Sequence, residues 1–390
     1  MPNGGNTSDS FASVRRLDAT KGHKKNLLRQ LNGVRIVAAM WVVLYHYQPQ
    51  IYGILPELAF LAPVTGMGYL AVDLFFVLSG FIICYQYLGR FSHFTRIAYV
   101  RFLVKRLARI YPAHFAVLLA LAVFVLGSDA IGVKITDPEN YSASGLVLDL
   151  FLLRSWVGDS QGWNIPAWSL SAEWLAYVLY PVLALGVTWL AVRRTRLLLV
   201  AASLIVLFEG LATSVYPSSH MPVPAARILL AFSLGCVVYL LSNKITHSEK
   251  NGWLGMGSLV ALLVLPASIS VDGLRASVSL LLAGLVILLL ATGSGRPIRL
   301  LGARLLNAGG LISFSLYLAH VPALMLIVRT LPAERFYDSA IFFRLAVAAL
   351  YLIFAVAAGS FLYQLVERPA HKMLLNVFDK RLGGLPKQQR

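Results

Sequence analysis

The chain has 390 residues, 58% of them hydrophobic and 13% charged, with a mean hydropathy of +0.72 and a formal net charge of +17. Soluble domains are about half apolar and a quarter charged, so this composition excludes that class together with a disordered chain, a disulfide scaffold and a collagen-like fibre. A nucleic-acid partner is not implied either, because what matters is where the 34 Lys and Arg lie relative to the apolar runs.

A spanning helix needs about 20 mostly apolar residues to cross some 30 Å of hydrocarbon. In chain order the segments that meet this are about 34–52, 68–88, 110–127, 169–191, 197–215, 225–242, 252–270, 276–292, 308–329 and 340–365. Small residues interleave their Leu and Val, as packing between helices in lipid favours, and no dyad alternation of a membrane barrel occurs. The fold expected is all-α, a polytopic membrane helix bundle with about ten transmembrane helices. Of the 34 cations, 26 fall before residue 35, in 89–109, 192–196, 243–251 and 293–304, and after 365, while the alternate loops are acidic. The positive-inside rule then places both termini in the cytoplasm. Residues 146–158 are apolar but short and broken by Asp149 and Arg154, and read as a re-entrant or interfacial piece beside Trp156, Trp163 and Trp168.

This divides the chain into a basic, disordered cytoplasmic arm (1–30), a membrane domain (31–370) and a basic cytoplasmic tail (371–390). No secretory signal is expected, since the basic region is long and the first apolar run lacks a cleavage site. Cys84 and Cys236 show neither CxxC nor metal-ligand spacing, so no metal is expected. No inverted pair of broken helices suggests a transporter.

Ionisable groups inside a span are costly and are functional candidates by default. The first span carries Arg35 and His46, eleven residues apart, hence on one helix face and about 16.5 Å apart along the axis. Asp73 in the second span lies at a depth similar to His46, and either orients it or reaches the interface. Ser79 lies near the middle. Arg101, Lys105, Arg106 and Arg109 cluster at helical spacing at the cytoplasmic mouth, suited to phosphates or to anionic lipid head groups. Ser169 and Glu173 are an i, i+4 pair at the start of the fourth span, where Glu173 can serve as a base or hold a histidine. His320, the deepest ionisable group, reads first as a satisfied core histidine. Glu209 has Arg227, Arg329 and Arg344 as possible partners. No Gly-x-Ser-x-Gly elbow, GxGxxG or Walker motif occurs.

In this order and spacing the chain resembles the acyltransferase-3 family of integral-membrane bacterial O-acyltransferases. The resemblance rests on Leu31-Asn32-Gly33-Val34-Arg35 with His46 after ten residues, where the family usually has Asp in place of Asn32. It continues through Asp73-Leu74-Phe75-Phe76-Val77-Leu78-Ser79-Gly80, Arg106-Leu107-Ala108-Arg109-Ile110-Tyr111-Pro112 and Trp168-Ser169-Leu170-Ser171-Ala172-Glu173. The stretches Ser315-Leu316-Tyr317-Leu318-Ala319-His320 and Val366-Glu367-Arg368-Pro369 resemble its C-terminal end.

The resemblance implies a ten-helix bundle in the bacterial inner membrane that moves an acyl group, commonly acetyl, from cytoplasmic acyl-CoA to a hydroxyl of an extracytoplasmic polysaccharide, lipopolysaccharide or glycolipid. His46 would be the essential histidine and Arg35 its paired arginine. Arg106 and Arg109 would meet the CoA, with Arg101 or Lys105 as a further contact to its phosphates, and Glu173 with Ser169 would form the outer polar set. Acyl-CoA is then a co-substrate, with no permanently bound cofactor; membrane lipids are partners and nucleic acid is not. On this reading His46, held by Asp73 or Glu173, takes the acceptor proton directly, or an acyl group is carried on His46 or a serine. A flippase of lipid-linked sugars, or an acyltransferase of a small secondary metabolite, would use the same polar interior.

Overall fold

In hydrocarbon every backbone polar group needs a partner within the protein, which favours helices for long apolar segments. The structure, a computed structural model, describes residues 7–91, 94–130, 138–157, 162–190, 196–198, 200–205, 207 and 223–381. Its helices are α1 (Thr7–Ile54), α2 (Ala71–Tyr87), α3 (Arg96–Ala130), α4 (Ala143–Leu150), α5 (Ala167–Leu190), α6 (Val223–Ser242), α7 (Glu249–Val264), α8 (Asp272–Ala291), α9 (Gly295–Leu301), α10 (Arg304–Thr330), α11 (Ile341–Leu362) and α12 (Arg368–Arg381). Among the described residues there is no strand beyond one isolated bridge, Ser248 to Gly293.

Nine helices among the described residues are long and apolar enough to cross a membrane, and they match nine of the ten expected spans. The remaining one, 197–215, is described only in part, as helix at 196–198 and 200–205. Two boundaries differ from expectation. Helix α1 starts at Thr7, inside the arm expected to be disordered; that arm has no Pro and one Gly, Gly22, between Thr7 and residue 30. The tail continues α11 through a π-turn at Tyr363–Glu367 into α12. Helix α4 has eight residues, about 12 Å, too short to cross, in keeping with the interfacial reading of 146–158.

The bundle is knit by close helix pairs: α2 with α6, α1 with α10, α10 with α11, and α7 with α8. Gly80 and Gly235 make the first possible, since a Cβ on Gly80 would run into the Phe232 carbonyl and one on Gly235 into that of Val77. Three apolar clusters fill the interior, one among α1, α2, α6 and α8, one among α2, α3, α5 and α6, and one among α1, α10 and α11. At one end, residues 29–33 meet Leu290, Leu301 and Gly302, and Arg109 meets Glu367. This end carries most of the basic connections. At the other end Arg344 pairs with Glu57 and Trp41 donates to the Val64 carbonyl.

Candidate active site

Helices α1, α2, α3, α5 and α10 enclose a cavity of about 150 Å³. Arg35, Arg106 and Arg109 line it together with Glu173, Ser79, Tyr177, Ser169 and Tyr317, and Phe75, Phe76, Leu78 and Ile82 add an apolar wall. The arginines come from two helices: α1 presents Arg35 two residues after the Gly33 crossing, and α3 presents Arg106 and Arg109 at i, i+3 spacing. Three guanidinium groups outnumber the two carboxylates beside them, Glu173 in the lining and Glu367 behind Arg109, which makes this wall cationic, a setting that favours phosphate or another anion.

Each polar group is held differently. Arg106 Nη2 donates to Tyr87 Oη at 2.8 Å and stacks over that ring at 5.0 Å. Arg109 pairs with the fully buried Glu367, whose other oxygen accepts from Ser315 Oγ at 2.5 Å. Glu173 Oε1 accepts from Ser79 Oγ at 2.6 Å and from Tyr177 Oη at 2.5 Å. Arg35, by contrast, makes no hydrogen bond to another described residue.

Beyond Tyr317 lies a pair of histidines. The Tyr317 ring stands 5.9 Å from that of His320, and His320 Nε2 is 3.2 Å from His46 Nδ1. His320 is fully buried; its Nδ1 donates to the Tyr317 carbonyl at 2.7 Å and its own carbonyl accepts from Tyr47 Oη at 2.8 Å. Pro322, which has no N–H, leaves the Leu318 carbonyl free of its helical bond. Asn164 Nδ2 fills that place at 3.0 Å, tying the 163–168 segment to α10 next to His320.

The expected residues therefore fall into separate groups. Arg35, Arg106, Arg109, Glu173 and Ser169 share the cavity. Arg101 is buried and Lys105 half-buried on α3, and neither lines it. Asp73 does not orient His46: it is fully buried in a two-bond pair with Arg227. Glu173 makes no hydrogen bond to His46 either; its Oε1 accepts from Ser79 and Tyr177. Ser169 Oγ donates to the Pro166 carbonyl at 3.0 Å and meets Tyr317 Oη at 2.8 Å. The partner of His46 is His320, which the sequence reading set aside as a core histidine although its burial at mid-span marked it out. Glu367 and Tyr177 were also not singled out as site residues. Arg344 pairs with Glu57 and Arg329 stacks on Phe124 at 4.7 Å; Glu209 lies outside the described residues. Among the described residues no group of His, Cys, Asp or Glu is arranged to hold a metal ion.

The comparisons with known proteins agree with this architecture. A family model described as an acyltransferase domain matches residues 28–364. Acyltransferase MdmB of Streptomyces mycarofaciens is 28% identical over 89% of this chain and 92% of its own length. Protein 2 in the picA locus of Rhizobium radiobacter is 30% identical over 38% of this chain and 78% of its own. A putative O-acetyltransferase of Staphylococcus aureus is 24% identical over half of this chain, a match that spans 31% of that longer protein. No solved structure matches the chain. With the family matched from residue 28 to 364 around a cationic intramembrane cavity, the chain belongs to the acyltransferase-3 family and is a multi-pass membrane acyltransferase.

Proposed function

We propose that this O-acyltransferase takes an acyl group, commonly acetyl, from acyl-CoA at the cytoplasmic face of the bacterial inner membrane and delivers it to a hydroxyl of an extracytoplasmic polysaccharide, lipopolysaccharide or glycolipid. The observation that carries this reading is the joining of Arg35, Arg106 and Arg109 in one cavity whose Tyr317 wall backs onto His46 and His320. The phosphates of the donor dock on Arg106, Arg109 and Arg35, and its thioester arm follows the apolar wall towards Tyr317. The distribution of cations supports an arginine-rich mouth, and both termini, on the cytoplasmic side. The reaction lies within the 31–370 domain.

At the histidine pair, His46 takes the proton of the acceptor hydroxyl as its oxygen attacks the thioester carbon. The carbon–sulfur bond breaks, and the leaving thiolate takes that proton from His46. The deciding experiment is mass spectrometry of cell-envelope glycans from strains with the gene, without it, and with His46→Ala. Acylated glycan is expected only with the intact gene. Unchanged glycans in the deletion strain would remove the acceptor class, and continued acylation by His46→Ala protein would remove His46 as the base. Movement of sugar-lipid with no release of CoA thiol from purified protein would instead indicate a flippase.

A further inference from the structure

His46 Nδ1 has two neighbours, the Val42 carbonyl oxygen at 3.1 Å and His320 Nε2 at 3.2 Å. A carbonyl oxygen can only accept, so the first contact requires a proton on Nδ1. The second gives the same answer by an independent route. His320 Nδ1 lies 2.7 Å from the Tyr317 carbonyl, again an acceptor only, so that nitrogen carries the proton of the neutral ring. His320 Nε2 is then left with a lone pair aimed at His46 Nδ1. Were His46 in the other tautomer, its Nδ1 lone pair would face two acceptors with no proton between them. His46 Nε2 is thus the basic nitrogen, and it makes no hydrogen bond to any other described residue.

We propose that His320 is a positioning residue that locks His46 in the Nδ1–H tautomer, so that Nε2 is the atom that removes the acceptor proton. The proposal rests on the acyl-transfer reading above and assigns to a neutral histidine the place that a carboxylate takes in hydrolase triads. Neither nearby carboxylate is free for that place: Asp73 is engaged by Arg227 and Glu173 by Ser79 and Tyr177. Aromatic groups face the pair, with Tyr45 edge-on to His46 at 4.9 Å and Tyr47 bonded to the His320 backbone. When His46 gains the proton it keeps Nδ1–H, and the bond to His320 becomes charge-assisted, stronger in the transition state than in the resting enzyme. His320 is fully buried on α10, and the Asn164 bond to the Leu318 carbonyl fixes the backbone beside it. The neutral partner also leaves the site without a net negative charge beside an incoming anionic donor.

The test uses two polar variants of the full chain in detergent. His320→Asn keeps an amide near the Tyr317 carbonyl but does not reach His46, whereas His320→Gln places an amide oxygen near the old Nε2 position. Expected is a kcat loss of about 10- to 100-fold in the Asn variant, largely recovered in the Gln variant, with the KM for acyl-CoA unchanged in both. Equal loss in the two, or loss seen only in KM, would overturn the proposal in favour of a packing role. A second measurement reads the nitrogen itself. After alkylation with iodoacetamide, acid hydrolysis of the His46 peptide yields separable carboxymethylhistidine isomers. The Nε2 isomer is expected in the wild type, with the Nδ1 isomer appearing in His320→Asn; Nδ1 alkylation in the wild type would overturn the assignment. Full activity in His46→Ala would end the acyl-transfer role of His46, while an inactive His46→Ala beside a fully active His320→Asn would end only the role of His320.

Discussion

Arg227 grips Asp73 by two parallel hydrogen bonds, Nε to Oδ1 at 2.8 Å and Nη2 to Oδ2 at 2.6 Å, across the interface of α6 and α2. The Asp73 side chain is fully buried and that of Arg227 is 26% exposed. Removing one member of such a pair leaves an uncompensated charge, a loss of about 3–5 kcal/mol when both are buried. Asp73→Asn is therefore expected to lower the thermal unfolding midpoint in detergent. The double variant Asp73→Asn with Arg227→Gln should recover much of it, with kcat per folded molecule near the wild-type value. A kcat collapse in the stable double variant would return Asp73 to the catalytic set.

The contrast between Asp73 and His46 shows what was legible in the sequence. A run of 20 apolar residues reports a span, and a residue's place in it reports depth, so Arg35, His46, Asp73, Glu173 and His320 could be ranked along the membrane normal. Which helix each one faces depends on contacts between distant segments. His46 meets a residue 274 positions away, and Asp73 one 154 positions away. Matched depth suggested that His46, Asp73 and Glu173 belong together, but side chains at one depth face different neighbours around a bundle. The cationic cluster was easier to read, because Arg106 and Arg109 share one helix and need only local spacing to align. Even there, the joining of Arg35 and Glu173 to it is a product of packing between distant helices.

Glu173 distinguishes a base from a counter-charge. Its Oε1 accepts two hydroxyl bonds while it shares the cavity with Arg35, Arg106 and Arg109. Glu173→Gln should lower the KM for the anionic donor, since it removes the negative charge from a cationic cavity, and reduce kcat by less than about 10-fold, below the 100-fold or more typical of losing a general base. Steady-state kinetics with varied acetyl-CoA decide it; a larger kcat loss with unchanged KM would make Glu173 the base.

Close helix contact offers a separate test of packing. A Cβ at residue 80 meets the Phe232 backbone, which cannot move aside as a flexible side chain could. Gly80→Ala is expected to part α2 from α6 and cost about 1–3 kcal/mol, while Gly89→Ala, with open space around it, should leave the unfolding midpoint unchanged. Because Ser79 neighbours Gly80 and bonds Glu173, the same variant should also reduce turnover. Unaltered stability in Gly80→Ala would contradict the contact.

The buried pair of Arg154 and Asp149 is linked to the site. Arg154 Nε donates to Asp149 Oδ1 at 2.6 Å and Nη2 to Oδ2 at 3.0 Å, and Nη2 also reaches the Gly145 carbonyl at 2.7 Å. Asp149 Oδ2 accepts from the Trp163 backbone N–H at 3.0 Å, and its carbonyl accepts from His114 Nε2 at 2.8 Å. Both charged side chains are almost wholly buried, at 3% and 2% exposed. This knot fixes Trp163, hence Asn164 and its bond to the Leu318 carbonyl, two residues before His320. Asp149→Ala should cost about 3–5 kcal/mol through the stranded Arg154. It should also raise hydrogen exchange at Trp163 and Asn164 and lower kcat without changing the KM for acyl-CoA, because the donor arginines lie on α1 and α3. Asp149→Asn, able to accept from Trp163 and Arg154 without the charge, is expected to fall between the two. A donor KM that rises with the loss of stability would place the effect in the bundle as a whole and not in the segment that braces the histidines.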